Sequence, residues 1–143
     1  MVLKFRKFTK EERSSFPYWF NHWLAYNWVA WKLGVWKPKW LLHDVEKPWL
    51  KLFWGDYKKV QKWHKHHNSH HIFYGRRYGY NKIDWLAAII DWECSQHTKY
   101  AAPRNGREEV DYLVETGDNG KYTPYEREII KNNCYPILDN IGL

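Results

Sequence analysis

Eight histidines occur in 143 residues, and their placement matters more than their number. His22 lies in an aromatic run, His43 and Asp44 are adjacent, and His64, His66, His67, His70 and His71 crowd into one short segment. Asp91 follows Ile89 and Ile90 and precedes Trp92. A carboxylate in such an apolar stretch needs a cation or strong hydrogen bonds. Imidazole and carboxylate donors suit a hard or borderline divalent ion, and Mn, Fe, Co, Ni, Zn or Mg all accept them. The two cysteines, Cys94 and Cys134, are too far apart for a CxxC pair and too few for a disulfide scaffold, so both read as reduced, buried thiols. Adjacent residues on a helix point about 100° apart. His43 and Asp44 therefore share an ion only at a helix end or with opposing rotamers. A second His and a second Asp from neighbouring helices complete a shell that leaves positions for water, which the ion can acidify into a nucleophile.

Helices must do the positioning, because helical periodicity dominates the chain. Ser14 or Ser15 can cap a helix that begins at Pro17 and ends at Gly34. A short second helix is expected from Pro38, carrying His43, with Pro48 as its limit and a link to Gly55. A third is expected from about Tyr57 to His71, followed by a basic loop over Gly75–Gly79. Ile83, Leu86, Ala87, Ile90 and Cys94 recur at three and four over a helix from Lys82 to about Lys99. Further helices are expected over Glu108–Glu115 and from Pro124 through Ile130, around a turn at Gly117–Gly120, with a short terminal turn or helix after Pro136. No strand alternation, repeat or low-complexity linker is visible. The reading is one all-α domain over residues 1–143, a compact bundle of five to six helices, with a core over 16–98 and a helical extension over 107–143.

His22, the pair His43-Asp44 and Asp91 resemble the H…HD…D signature of the HD-domain metal-dependent phosphohydrolases, and His43-Asp44-Val45-Glu46-Lys47 resembles the HDxxK form common there. The resemblance spans residues 16 to about 98. It implies an HD-type helical core in which His22, His43, Asp44 and Asp91 bind one divalent ion and Lys47 stands near substrate phosphate. The string His66-His67-Asn68-Ser69-His70-His71 also resembles the His-rich segment of a small branch found in bacteria and their phages. Members with extra His ligands before the final Asp hold a second metal. Here His66 with His70, and His67 with His71, stand at i,i+4, a helical spacing that permits joint coordination. One reading is a second ion using such a pair, with His67 and His71 as ligands. The simpler one is a single ion, with His66, His67, His70 or His71 orienting the nucleophile or protonating the leaving oxygen. Lys47, Arg76 and Arg77 are the candidates for neutralising the phosphoryl group, Arg through its bidentate fork. The implied activity is hydrolysis of a phosphate monoester or diester, with a nucleotide favoured by the aromatic supply.

Composition bounds the alternatives. Eleven Trp, eleven Tyr and six Phe with a net charge of +7 admit nucleic acid, nucleotides or an anionic surface as partners. A non-catalytic nucleic-acid binder is the competing class, since basic residues interleave with aromatics over Lys51–Lys65 and at Arg76-Arg77-Tyr78. A phage-type accessory protein that meets a host partner through exposed aromatics is a third. The charged stretch MVLKFRKFTKEERSS is not expected to be a signal peptide, and no uninterrupted apolar run is long enough to span a bilayer. A cytoplasmic protein (host cytoplasm if phage-encoded), no membrane partner and a homodimer hiding some aromatics are the corresponding expectations.

Overall fold

Ser15 opens the first helix. Its Oγ accepts from the Tyr18 amide, and Pro17 occupies the first turn, where a missing N–H costs no bond. In the computed structural model, which describes residues 4–143 with the side chain of Lys82 aside, this helix is α1 (Phe16–Lys32). The first three residues of the charged N-terminal stretch lie outside the described residues. Six more α-helices follow: α2 (Glu46–Trp54), α3 (Tyr57–His67), α4 (Ile72–Tyr78), α5 (Lys82–Thr98), α6 (Gly106–Gly120) and α7 (Pro124–Ile141). Short 3-10 turns cover Glu11–Ser14 and Pro38–Leu42. The protein is an all-helical bundle, with seven α-helices among the described residues where five or six are expected. Among the described residues the only β-type pairing is a single bridge, in which Phe8 lies beside Lys99. No helix is long and apolar enough to cross a membrane.

Four local expectations are corrected. Pro48 does not end a helix but lies in the first turn of α2, whose N–H groups have no intrahelical partner anyway. The expected link after it is therefore helical, and it closes at Gly55, which takes a left-handed φ of 70°. Helix α3 stops at His67, so His70 and His71 fall in a turn and not on its face. The segment expected as a basic loop is α4. Finally, α7 continues through Pro136 to Ile141.

Helix α5 carries the fold because it is buried on two sides. Ala87, Ile90 and Cys94 pack with Ala25, Tyr26, Val29 and Ala30 of α1 and with Trp40. Trp85 and Ile89 face the other way, onto Val110 and Leu113 of α6 and Ile130, Cys134 and Leu138 of α7. Both cysteines are buried and free, as their spacing suggests.

Arg76 locks α4 to the start of α7. Its Nε and Nη2 donate to the two Glu126 oxygens at 2.6 and 2.8 Å, and Nη2 also reaches the Lys121 carbonyl at 2.9 Å. Burial opposes the charge on Glu126, but the Arg76 bonds and the Thr123 amide outweigh it and hold the carboxyl below its ordinary range. A depressed folded-state pKa adds stability above the unfolded value of 4.5, and that stability is lost as pH falls through the folded value. Arg76→Ala is expected to cost about 2 kcal/mol at pH 7, solvent screening part of the pair because Arg76 is 37% exposed. Urea denaturation at pH 7 and at low pH should show the gap to wild type narrowing as Glu126 is protonated.

Candidate metal centre

His43 and Asp44 lie between the 3-10 turn and α2, so His43 is not carried on a helix as expected, and the pair sits at a helix end, one of the two arrangements its adjacency allows. His43 has extended backbone (φ −60°, ψ 121°), and Asp44 takes a left-handed φ of 57°. A non-glycine residue held there is uncommon, and the conformation turns the two side chains to one region. The His43 ring stacks on Tyr26 of α1, with centroids 3.7 Å apart and planes at 12°.

Two nests of donors meet at this pair. In the first, His22 Nε2 of α1 is 2.9 Å from Asp91 Oδ1 of α5, and His43 Nε2 is 3.6 Å from the same oxygen. The far side of the His22 ring is fixed by Thr98 Oγ1, 2.9 Å from Nδ1. In the second, His64 of α3 meets His70 and His71 from the turn before α4, with one ring nitrogen of each lying within 4.8 Å of the others. Asp44 stands between the nests. Its Oδ1 is 3.1 Å from His64 Nε2 and 3.6 Å from His70 Nε2, while Oδ2 is 3.4 Å from His43 Nε2 and 2.8 Å from Lys47 Nζ. Glu46 backs the second nest by pairing with His64 Nδ1, and Asn68 Nδ2 donates to Glu46 at 3.0 Å.

Five of these atoms are buried without a hydrogen-bond partner: His43 Nε2, Asp44 Oδ1, His64 Nε2, His70 Nε2 and His71 Nε2. The 3.1 Å approach of His64 to Asp44 lacks hydrogen-bond alignment. Orphaned buried polar atoms are rare and cost roughly 1–3 kcal/mol each. The His43, His64 and His70 nitrogens gather around the Asp44 carboxylate, with His71 beside His64 and His70; such a set fits a cation, and nitrogen and oxygen donors fit a divalent one. The buried His/Asp clusters can therefore coordinate a divalent metal ion.

Charge in the site is arranged to match. Burial alone raises the pKa of Asp44 and Asp91, yet both carboxyls sit well below the usual range: His43, Lys47 and His64 charges act on Asp44, and a His22 hydrogen bond on Asp91. Burial lowers His22 to about 4 against the pull of Asp91, and lowers His70 to about 3 with help from nearby His43. His71 is also pushed far down by burial. These rings are neutral at pH 7 and offer lone pairs. Burial opposes protonation of His64, but the Asp44 charge prevails and raises its pKa. Lys47 likewise stays cationic, Asp44 outweighing burial.

Of the residues singled out from sequence, His22, His43, Asp44, Asp91, Lys47, His70 and His71 are brought together. His66 and His67 are not. Both are exposed at the end of α3, where His67 stacks on Trp63 at 4.3 Å and its Nδ1 lies 2.8 Å from the Trp63 carbonyl. The i,i+4 pairs fail because α3 ends before His70. Arg76 spends its fork on Glu126, and Arg77 is exposed with its guanidinium 5.3 Å above the Tyr78 ring. His64 was the ligand candidate that the spacing argument passed over. Val60 and His64 are the buried residues of α3, one turn apart, so the helix's apolar register was the signal available. Glu46 and Thr98 carried no such signal. No protein-family model matches the chain, and neither a curated protein nor a solved structure is significantly similar to it.

Proposed function

We propose that the chain is a metal-dependent phosphohydrolase that holds two divalent ions, one at His22, His43, Asp91 and Asp44, the other at His64, His70, His71 and Asp44. The observation that carries this reading is the gathering of unpartnered buried nitrogens of His43, His64 and His70 around the Asp44 carboxylate, with His71 beside them. The resemblance of His22, His43-Asp44 and Asp91 to the HD-domain signature supports it. Bound there, such ions supply Lewis-acid polarisation of a phosphoryl oxygen and lower the pKa of an attacking water.

The chain's own groups do the remaining work. Thr98 and Glu46 orient the His22 and His64 rings, as partners behind metal-binding imidazoles do. Lys47 keeps its charge beside Asp44, where it can neutralise charge that develops on a phosphoryl group. The test is metal analysis of protein purified without chelator, followed by phosphate release from a panel of monoesters and diesters with each of several divalent ions. Bound metal and metal-stimulated release are expected. Absence of both sinks the proposal.

One observation favours a second reading. A wide groove that takes in Asp44 and Asp91 is lined by Lys10, Arg13, Lys58, Lys62, Lys65 and Lys99, none of which makes a salt bridge among the described residues, and they outnumber its other carboxylates, Glu11 and Asp56. Burial and the charges of Lys121, Lys47, Lys99 and Arg13 lower the pKa of Lys65, so these cations share one field. A nucleic-acid backbone fits such a groove. Oligonucleotide binding that weakens steeply with salt and is indifferent to Asp44→Asn would favour that reading.

A further inference from the structure

A cavity of about 430 Å³, lined mainly from α1 and α2 with residues of the first 3-10 turn and Tyr57 of α3, opens beside His22 and Asp44. That volume lies in the range of small-molecule sites. Phe16, Trp19, Trp49 and Leu52 make its hydrocarbon walls. Trp19 is fixed to the metal centre, because its Nε1 donates to the Asp44 carbonyl at 2.7 Å. The Phe16 ring leans on it with centroids 5.4 Å apart. Trp49 and Leu52 are 64% and 72% exposed and form the outer rim.

The exposed lining of this cavity is mostly hydrocarbon, and its polar side chains include cations as well as the Asp44 carboxylate and a few neutral groups. Lys47 stands at the end shared with Asp44. Arg13 also lines it, and Arg13 Nε is buried with no hydrogen-bond partner. A nucleobase needs donors and acceptors matched to its edge, and three of the neutral groups here are already engaged. Ser15 Oγ donates to the Glu12 carbonyl and accepts from the Tyr18 amide, Trp19 Nε1 is bound to Asp44, and Tyr57 Oη accepts from Gln61. Cations among mostly hydrocarbon walls select an amphiphilic anion.

We infer that this cavity seats the hydrocarbon part of the substrate, a phosphate monoester of an apolar alcohol, with its phosphoryl group at Asp44 and Lys47. The inference rests on the phosphohydrolase reading above and adds the substrate class to it. Recognition is by burial of the alcohol's carbon skeleton and not by reading an edge.

Alkylphosphonates from methyl to hexyl test this, since their C–P bond resists hydrolysis and isolates binding. Calorimetric titration of the full chain, with Mn added and again with EDTA, is expected to show affinity rising about threefold per added methylene. The rise is expected in both conditions because the walls are not metal ligands. The double variant Trp49→Ala, Leu52→Asn changes only exposed rim residues. It is expected to weaken hexylphosphonate binding about tenfold and leave methylphosphonate within about twofold. Equal affinity for methyl- and hexylphosphonate, or tighter binding of a nucleoside monophosphate than of hexylphosphonate, overturns the inference. If the chain takes up no ion yet keeps the rise, the hydrolase reading falls while the seat for an amphiphilic anion stands.

Discussion

Asp44→Asn is expected to weaken divalent-metal binding sharply at both nests and, with it, any metal-stimulated ester hydrolysis. Asp44 is the residue that approaches both nests: Oδ1 lies by His64 and His70, Oδ2 by His43 and Lys47. Removing its charge takes a ligand from each ion at once and leaves Lys47 without its counter-charge. Asn is the substitution of choice because it keeps the shape and tolerates the left-handed backbone that Asp44 adopts. Affinity for Mn or Zn should fall at least about a hundredfold and phosphate release about a thousandfold or more, the scale on which removal of a transition-state stabiliser acts. Calorimetry and metal analysis read the first, and a phosphate assay the second. Circular dichroism should show the helical content retained. The contrast is His67→Ala, which should keep both quantities within about twofold, since that ring stacks on Trp63 in solvent. If Asp44→Asn binds metal as wild type does, the two-nest arrangement is wrong.

Helices α1 and α5 and the first nest were legible in the sequence because each depends on short-range chemistry. Ser15 caps α1, apolar spacing marks α5, and both place His22 and Asp91 on facing helices. The second nest was less legible because it depends on where a helix stops. The stretch His64–His71 reads as one continuous helix, and on such a helix His66 and His67 are the partners of His70 and His71. In the structure the chain leaves the helix at Asn68, whose backbone is extended, and folds His70 and His71 back over His64. Asn68 Nδ2 secures that reversal by bonding Glu46 and the His64 carbonyl. Nothing in local propensity announces a contact between residues 46 and 68. The Arg76 expectation failed for a related reason: a fork suited to phosphate suits any carboxylate, and only the tertiary fold brings Glu126 to it.

Millimolar divalent ion is expected to raise the melting temperature by about 10 °C, and a chelator to reverse it. An ion at about a thousand times its dissociation constant adds about 4 kcal/mol to stability, and each kcal/mol is worth roughly 3 °C in a chain of this length. The pH dependence of the shift separates buried ligands from a surface histidine cluster. Without metal, the unfolded chain takes up protons on His22 and His70 near 6.5, while burial holds the folded rings near 4 and 3. Metal-free stability is therefore full above about pH 6.5 and is lost as pH falls toward 4. Asp44 and Asp91 extend the loss to lower pH, because their folded-state values also lie below the unfolded ones. His64 works in the opposite direction: its raised pKa adds stability below 6.5 that is lost as pH rises through its folded value. Protons thus displace the ion at His64 first and the ion at His22 last. At pH 5 part of the thermal shift should survive, where an exposed cluster titrating near 6.5 would retain almost none. Thermal melts at pH 7 and pH 5, with and without Mn, decide between these outcomes. His64→Ala should give a shift that is smaller at pH 7 but barely changes down to pH 5, and a shift that persists in Asp44→Asn would place the ion elsewhere.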